Sequence, residues 1–121
     1  MHELSIALSL IELASEEACR HDGSSVTALY LKLGPLAGVV KEALTFSFEI
    51  VCEGTTVEGA QLIIEDVPVV IHCPRCRENA EIENIQDLRC PRCGEFAAEV
   101  IHGRELELVS LQLEELEEVA G

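Results

Sequence analysis

The chain has 121 residues, which favours one domain with at most a small insert, and its three Phe, one Tyr and no Trp leave the core to aliphatic side chains. The formal net charge of −15 at pH 7 disfavours binding to nucleic acid or to anionic membrane faces. Because the sequence has neither a basic leader nor an apolar run that could span a bilayer, we expect a cytoplasmic protein whose six cysteines are metal ligands or buried thiols.

The first 71 residues follow a helix–strand–helix–strand pattern. In the first helix, apolar residues recur every three or four positions: Leu4, Ala7, Leu8, Ile11, Ala14 and Ala18, with Ile6, Leu10 and Leu13 beside them. This helix should end at Asp22–Gly23, where turn residues begin. Beyond it we predict a strand at 26–33, a helix at 40–52 and a strand at 62–67, which 69–71 would extend past Pro68. This succession predicts a right-handed crossover between parallel strands.

Residues 105–113 return to a strand pattern after a segment that contains four cysteines. The leucines of this strand change phase, so a bulge is expected near Val109–Ser110, and the acidic tail from Glu114 should fray. We therefore predict an α+β fold, in which a two-layer body with two helices on a small three-stranded mixed sheet is interrupted by a four-cysteine insert. The body would comprise residues 1–71 and 103–121, and the insert residues 72–102.

Two CxxC units, Cys73–Cys76 and Cys90–Cys93, are separated by thirteen residues. Two residues between a pair of thiolates let one tight turn aim both sulfurs at the same ion; proline presets that turn, and Gly94 allows the positive φ that closes it. Four soft ligands with no open position favour a structural zinc ion, so the insert is predicted to be a four-cysteine zinc ribbon. A single iron is the main alternative, because similar knuckles occur in rubredoxin, where iron transfers electrons. A redox-active thiol pair or two disulfides are weaker alternatives.

The insert is too poor in large apolar residues to fold by burial alone, so metal binding should supply the missing free energy. Residues 72–94 of the insert carry half of the basic residues of the chain, Arg75, Arg77, Arg89 and Arg92, against four acidic residues. This part is therefore near neutral, which disfavours nucleic-acid binding by the ribbon. The two remaining cysteines, Cys19 and Cys52, are expected to be buried thiols without a metal.

The N-terminal residues offer a second metal site. The Met1 amine, the His2 backbone nitrogen and the His2 imidazole can chelate one ion in a near-plane, a geometry that Ni(II) and Cu(II) prefer. The fourth position would stay open for Glu3, another histidine or a ligand from a partner. On these residues alone the signal is weak, because a histidine at position 2 is more often an ordinary solvated residue than a metal ligand. No nucleophile–base constellation and no phosphate-binding loop is readable, so an enzyme is not expected.

Several short motifs occur in a fixed order along nearly the whole chain. They are Met1-His2-Glu3, Gly34-Pro35-Leu36-Ala37-Gly38-Val39, Glu58-Gly59-Ala60, the two CxxC units, and Gly103-Arg104-Glu105-Leu106. This ordered set resembles the HypA/HybF family of hydrogenase nickel incorporation proteins. The resemblance implies a nickel metallochaperone for the maturation of [NiFe]-hydrogenase, and in some organisms for urease as well.

The resemblance also implies ligands and partners. Nickel, as transient cargo, would bind Met1, His2 and Glu3, and structural zinc would bind the four cysteines. An accessory nickel-handling GTPase and the hydrogenase large subunit would be the partners of a monomer or weak dimer. Some family members add a nickel-binding histidine from a longer zinc segment; the spacer here has none, which leaves His72 and His102 as candidates. A zinc-ribbon interaction module without nickel is the remaining alternative function.

Overall fold

The structure is a computed structural model that describes residues 3–114. In chain order its elements are α1 (Glu3–Arg20), β1 (Ser25–Leu33), a short 3-10 helix (Pro35–Ala37), α2 (Lys41–Val51), β2 (Gln61–Asp66), β3 (Val69–Cys73), β4 (Glu78–Ile82), β5 (Glu99–His102) and β6 (Leu106–Glu114). The strands form two three-stranded sheets, with orders β2-β1-β6 and β4-β3-β5. The predicted α+β fold, with two helices, a small mixed sheet and a four-cysteine ribbon, is confirmed.

The described chain divides into two compact units. The first, here called the helical unit, contains residues 3–31, 39–64 and 108–114; the second, the ribbon unit, contains residues 32–38 and 65–107. Within residues 3–114, no helix is long and apolar enough to cross a membrane.

Helix α1 buries a narrow stripe of its surface. The stripe consists of Ala7, Leu10, Ile11, Ala14 and Ala18, whose spacing places them on one side of an α-helix. Its small alanines allow close packing against α2, where Leu44 and Phe48 are buried. The predicted apolar face was too wide, because Leu4, Leu8 and Leu13 are each about half exposed. These leucines lie at the edge or on the far side of the stripe at 100° per residue.

The two cysteines outside the ribbon differ in exposure. Cys52, directly after α2, is buried as predicted, whereas Cys19 is exposed. The prediction for Cys19 was therefore wrong. Its neighbour Ala18 occupies the last buried position of the stripe, and the next residue of a helix is turned by 100° towards solvent.

The sequence suggested that residues 69–71 extend β2, and this prediction was wrong. Strand β3 is the central strand of the second sheet, where it pairs antiparallel with β4 and with β5. The Val67 N–H still bonds to the Leu33 carbonyl (2.9 Å), but Pro68 has no N–H to continue a ladder. Strands β4 and β5 were not predicted at all.

Strand β6 shows the expected change of phase. Val109 and Ser110 are exposed in succession, while the leucines on either side of them are partly buried. The predicted tail after Glu114 lies outside the described residues. The predicted right-handed crossover stays a prediction.

The ribbon unit has a small aliphatic core. Val69, Ile71 and Ile82 are buried at its centre, and partly buried residues surround them: Leu36, Ala80, Leu88, Ala97 and Val100. The segment 32–38 joins this core through the Gly34 N–H, which bonds to the Glu105 carbonyl (2.8 Å), and the Leu36 N–H, which bonds to the Gly103 carbonyl (2.7 Å). A Cβ atom at Gly34 would lie 2.1 Å from the Gly103 oxygen, so this close approach requires glycine.

Candidate metal centre

The four ribbon cysteines come together in one cluster. The sulfurs of Cys73, Cys76, Cys90 and Cys93 all lie within 4.8 Å of one another. The Cys73–Cys93 sulfur distance is 3.5 Å and the Cys76–Cys90 distance is 3.9 Å. A tetrahedral site with Zn–S bonds of about 2.3 Å has sulfur–sulfur edges of about 3.8 Å. The cluster therefore has the size that one sulfur-coordinated ion needs.

Both pairs of cysteines sit on the same kind of turn. In the first turn the Cys76 N–H points at the Cys73 sulfur (3.3 Å), and the Arg77 N–H donates to the Cys73 carbonyl (2.9 Å). In the second turn the Gly94 N–H donates in the same way to the Cys90 carbonyl (2.9 Å). The closing residues both have positive φ, 57° at Arg77 and 75° at Gly94. The sequence reasoning identified Gly94 but missed Arg77, because arginine gives no sign of this conformation.

The thiols of the cluster differ in proton affinity. The backbone N–H groups of Cys93 and then Arg92 point at the Cys90 sulfur and lower the pKa of this thiol to about 7. Hydrogen bonds with the thiols of Cys93 and then Cys73 raise the pKa of Cys76 to about 12. One thiolate therefore forms readily near neutral pH, while complete ionisation of the cluster needs a cation among the sulfurs.

Charged side chains link the two turns. The guanidinium of Arg92, within the second turn, forms an ion pair with Glu78, which directly follows the first turn. Arg89 is paired with Asp87 (3.1 Å) and lies over the ring of Phe96, 4.6 Å from its centroid. These contacts neutralise part of the basic charge inside the ribbon unit.

The predicted nickel ligands fall at the margin of the described residues. Met1 and His2 lie outside them, so the predicted chelate stays a prediction. Glu3 begins α1, and its carboxylate accepts a hydrogen bond from the Val40 N–H, 3.2 Å away.

Each of the two candidate histidines forms a hydrogen bond through its Nδ1 atom. Nδ1 of His72 is hydrogen-bonded to Asn79 (2.9 Å), and Nδ1 of His102 to Glu105 (2.9 Å). Neither belongs to the cysteine cluster, which is the one close grouping of three or more metal-binding side chains in residues 3–114. Glu105 also accepts the Gly103 N–H (2.6 Å), and this bond, followed by His102, holds the pKa of its carboxyl below the usual range. Glu105 lies within the motif Gly103-Arg104-Glu105-Leu106, and its carboxylate joins Gly103 to His102.

Comparison with known proteins decides the family. A family model described as hydrogenase/urease nickel incorporation, metallochaperone, hypA, matches residues 1–113. The chain belongs to the HypA family. The resemblance inferred from the ordered motifs is thereby confirmed, and the chain is a member of a family of nickel incorporation metallochaperones that here carries a four-cysteine cluster.

Curated HypA relatives match over almost their whole length. The hydrogenase maturation factor HypA of Chloroflexus aurantiacus is 49% identical over 112 residues, which cover 93% of this chain and 98% of that protein. The protein of the same name from a Roseiflexus species is 43% identical over 115 residues, covering 95% and 94%.

Solved HypA structures share the fold. The solution structure of the Ni metallochaperone HypA from Helicobacter pylori is 25% identical, with a TM-score of 0.64, and covers 93% of this chain and 97% of that one. A second solution structure, of a HypA protein, is 26% identical with a TM-score of 0.69 and covers 93% and 96%.

Proposed function

We propose that this chain carries Ni(II) for the maturation of [NiFe]-hydrogenase and holds one structural Zn(II) ion at its four cysteines. The match of the family model to residues 1–113 carries the proposal, because it includes the N-terminal motif and both CxxC units in one frame. The chain would bind and transfer its ion without catalysing a reaction. Urease is a second recipient that the description of the family includes.

The cysteine cluster supports zinc as the resident ion. Four sulfurs at tetrahedral spacing leave no coordination position for substrate, which suits a site that stabilises the fold. When bound, zinc would ionise all four thiols, including Cys76 with its raised pKa. Iron is the competing occupant for a cluster of this type, and a ferric site would make the protein red whereas a zinc site is colourless.

The N-terminus supplies the proposed nickel site. The Met1 amine, the His2 amide and the His2 imidazole would hold the ion through three nitrogens, with Glu3 as the candidate fourth ligand. A site with few protein ligands at the start of a chain leaves room for a recipient's ligand, as a carrier requires. Residues 1–71 with 103–121 would then be the nickel-binding domain, and 72–102 the zinc ribbon.

The proposed partners follow from the role of the family. A nickel-handling GTPase would work with the chain, and it would be a separate protein because no phosphate-binding loop is readable in this sequence. The hydrogenase large subunit would receive the ion. We propose that the chain acts in the cytoplasm as a monomer or weak dimer.

Metal analysis of untagged protein tests the proposal. We expect colourless protein with one zinc per chain, and nickel titration should reveal a further site that does not displace zinc. Iron in place of zinc would contradict the structural role of the cluster. Zinc without any nickel binding would leave a ribbon module that does not carry nickel.

A further inference from the structure

The carboxylate of Glu3 is engaged at the start of the other helix. Its Oε1 accepts the Val40 N–H at 3.2 Å, across 37 residues of sequence. Val40 is the N-cap of α2, in an extended conformation (φ −85°, ψ 114°), and its valine side chain makes no capping bond. The first N–H groups of a helix lack partners within it, and the N–H of the N-cap residue is often bound by a Glu or Gln side chain at the third helical position. That position of α2 is Ala43, which has no acceptor, and the Glu3 carboxylate of α1 takes its place.

The two helices begin at the same end of the helical unit. Near its start, α1 is joined to residue 40; farther along, the hydroxyl of Ser15 is hydrogen-bonded to that of Thr56 (2.7 Å), beyond the end of α2. Both helices therefore run in the same direction. The carboxylate of Glu3 consequently lies beside two helix N-termini, each of which carries a partial positive charge that stabilises an anion.

We propose that Glu3 is a positioning residue, whose carboxylate caps α2 from the first turn of α1 and thereby holds the adjoining Met1–His2 chelate in place, rather than coordinating nickel itself. This inference rests on the proposed N-terminal nickel site, and it replaces the fourth-ligand role that the sequence suggested for Glu3. Moving the carboxylate onto nickel would leave the Val40 N–H without its acceptor and would take the charge away from two helix ends.

The chemistry of the ion points the same way. Ni(II) in a near-planar chelate prefers nitrogen ligands, and a carboxylate is a weak competitor for it. A carboxylate fixed at the helix ends still helps a nearby dication, because it offsets the partial positive charge of both helices. Glu3 would thus favour nickel binding in two ways, by fixing the start of α1 against α2 and by its negative charge.

The test removes each partner of the hydrogen bond separately. Glu3→Ala removes the acceptor, and Glu3→Gln keeps an acceptor oxygen but loses the charge. Val40→Pro removes the N–H and leaves every proposed ligand intact; its φ of −85° is close to that of proline, and the carbonyl that accepts the Leu44 N–H (2.9 Å) is retained. Val40→Ala measures the effect of the side chain alone. Glu42→Gln, in the first turn of α2, removes a similar charge outside the bond.

Calorimetric nickel titrations of these untagged variants give the first result. We expect Glu3→Ala and Val40→Pro to weaken nickel binding to a similar extent, about two- to thirtyfold, which corresponds to the range of capping free energies. The double variant should lose no more than either single variant, Glu3→Gln should lose less, and Glu42→Gln should bind as the wild type does. Normal affinity in Val40→Pro, with losses in both Glu3 variants, would make Glu3 a ligand and overturn the proposal.

The backbone amide signal of Val40 gives a second result that does not depend on the proline variant folding. It should differ between wild type and Glu3→Ala, and in the wild type it should keep its position when nickel binds. A nickel-induced move to the position seen in Glu3→Ala would show that the carboxylate leaves the cap for the ion, which contradicts the proposal. If the wild type binds no nickel, the proposed function fails and the positioning role fails with it, while the amide comparison still decides whether the cap exists.

Discussion

The helical unit and the ribbon unit are stabilised by different means. In the helical unit, α1, α2 and β1 all bury apolar side chains, including Phe48 of α2, and the two helices are in contact. In the ribbon unit, three buried residues, Val69, Ile71 and Ile82, form the centre of the core, and the cysteine cluster lies in the same unit. Burial of apolar surface can stabilise the first unit on its own, whereas the second is expected to need an ion. The comparison teaches how one short chain would combine a conventional core with a region whose fold depends on a bound metal.

Loss of a cysteine ligand should produce the largest difference in stability between the two units. Cys76→Ser is expected to release zinc and to disorder the ribbon unit, because structural zinc contributes roughly 10–16 kcal/mol in isolated zinc-finger peptides. The helical unit should keep its amide spectrum. Zinc content and two-dimensional amide spectra measure both effects. Cys19→Ser is the matched control, since that thiol is exposed and lies outside the cluster; equal collapse of both units in Cys76→Ser would refute the comparison.

A core truncation should act on the helical unit. Phe48 is 1% exposed, so Phe48→Ala is expected to reduce the free energy of unfolding by about 3–5 kcal/mol. Phe46 on the same helix is 65% exposed, and Phe46→Ala should change stability by no more than about 0.5 kcal/mol. Chemical denaturation of zinc-loaded protein measures both values. Similar losses in the two variants would contradict the assigned packing of α2.

The two units also differed in how far the sequence predicted them. Both helices, β1 and β6 followed from apolar periodicity, and β2 from its short run of apolar residues. Strands β4 and β5 were missed because pairing with β3 and the cysteine turns fix them, and Glu78–Ile82 shows no apolar alternation. The spacing of the cysteines predicted their cluster. The bond between Glu3 and Val40 could not be predicted, since it depends on how α1 packs against α2.

Acidification should weaken the stabilisation that the ribbon unit gains from the hydrogen bonds of Glu105 to Gly103 and His102. Because the Gly103 N–H and then His102 lower the pKa of this carboxyl, the unfolded chain takes up its proton at higher pH than the folded chain does. The stabilisation is therefore present above the ordinary glutamate range and disappears as the pH falls through the lowered pKa. The stability difference between wild type and Glu105→Gln should be constant near neutrality and shrink in acid. Thermal unfolding at a series of pH values measures it, with Glu107→Gln as control; a difference that grows on acidification would contradict the assignment.

The smallest expected change in stability comes from the closing residues of the two cysteine turns, Arg77 and Gly94. Arg77 adopts the left-handed conformation that Gly94 adopts in the second turn. Arg77→Gly should stabilise zinc-loaded ribbon by up to about 1 kcal/mol, because relief of backbone strain exceeds the added entropy of the unfolded chain. Gly94→Ala should destabilise it by about 1–2 kcal/mol. Competition with a zinc chelator reports both changes, and tighter zinc binding by Gly94→Ala would show that the turns are not equivalent.

The central claim, a nickel carrier that binds its ion at the N-terminus, is tested most directly by calorimetric nickel titration of three untagged proteins: native, acetylated at Met1, and His2→Ala. Acetylation removes the amine as a ligand, and His2→Ala removes the imidazole. The account predicts that both changes abolish high-affinity nickel binding while zinc content and the amide spectrum stay as in the native protein. Equal nickel affinity in all three proteins would contradict it.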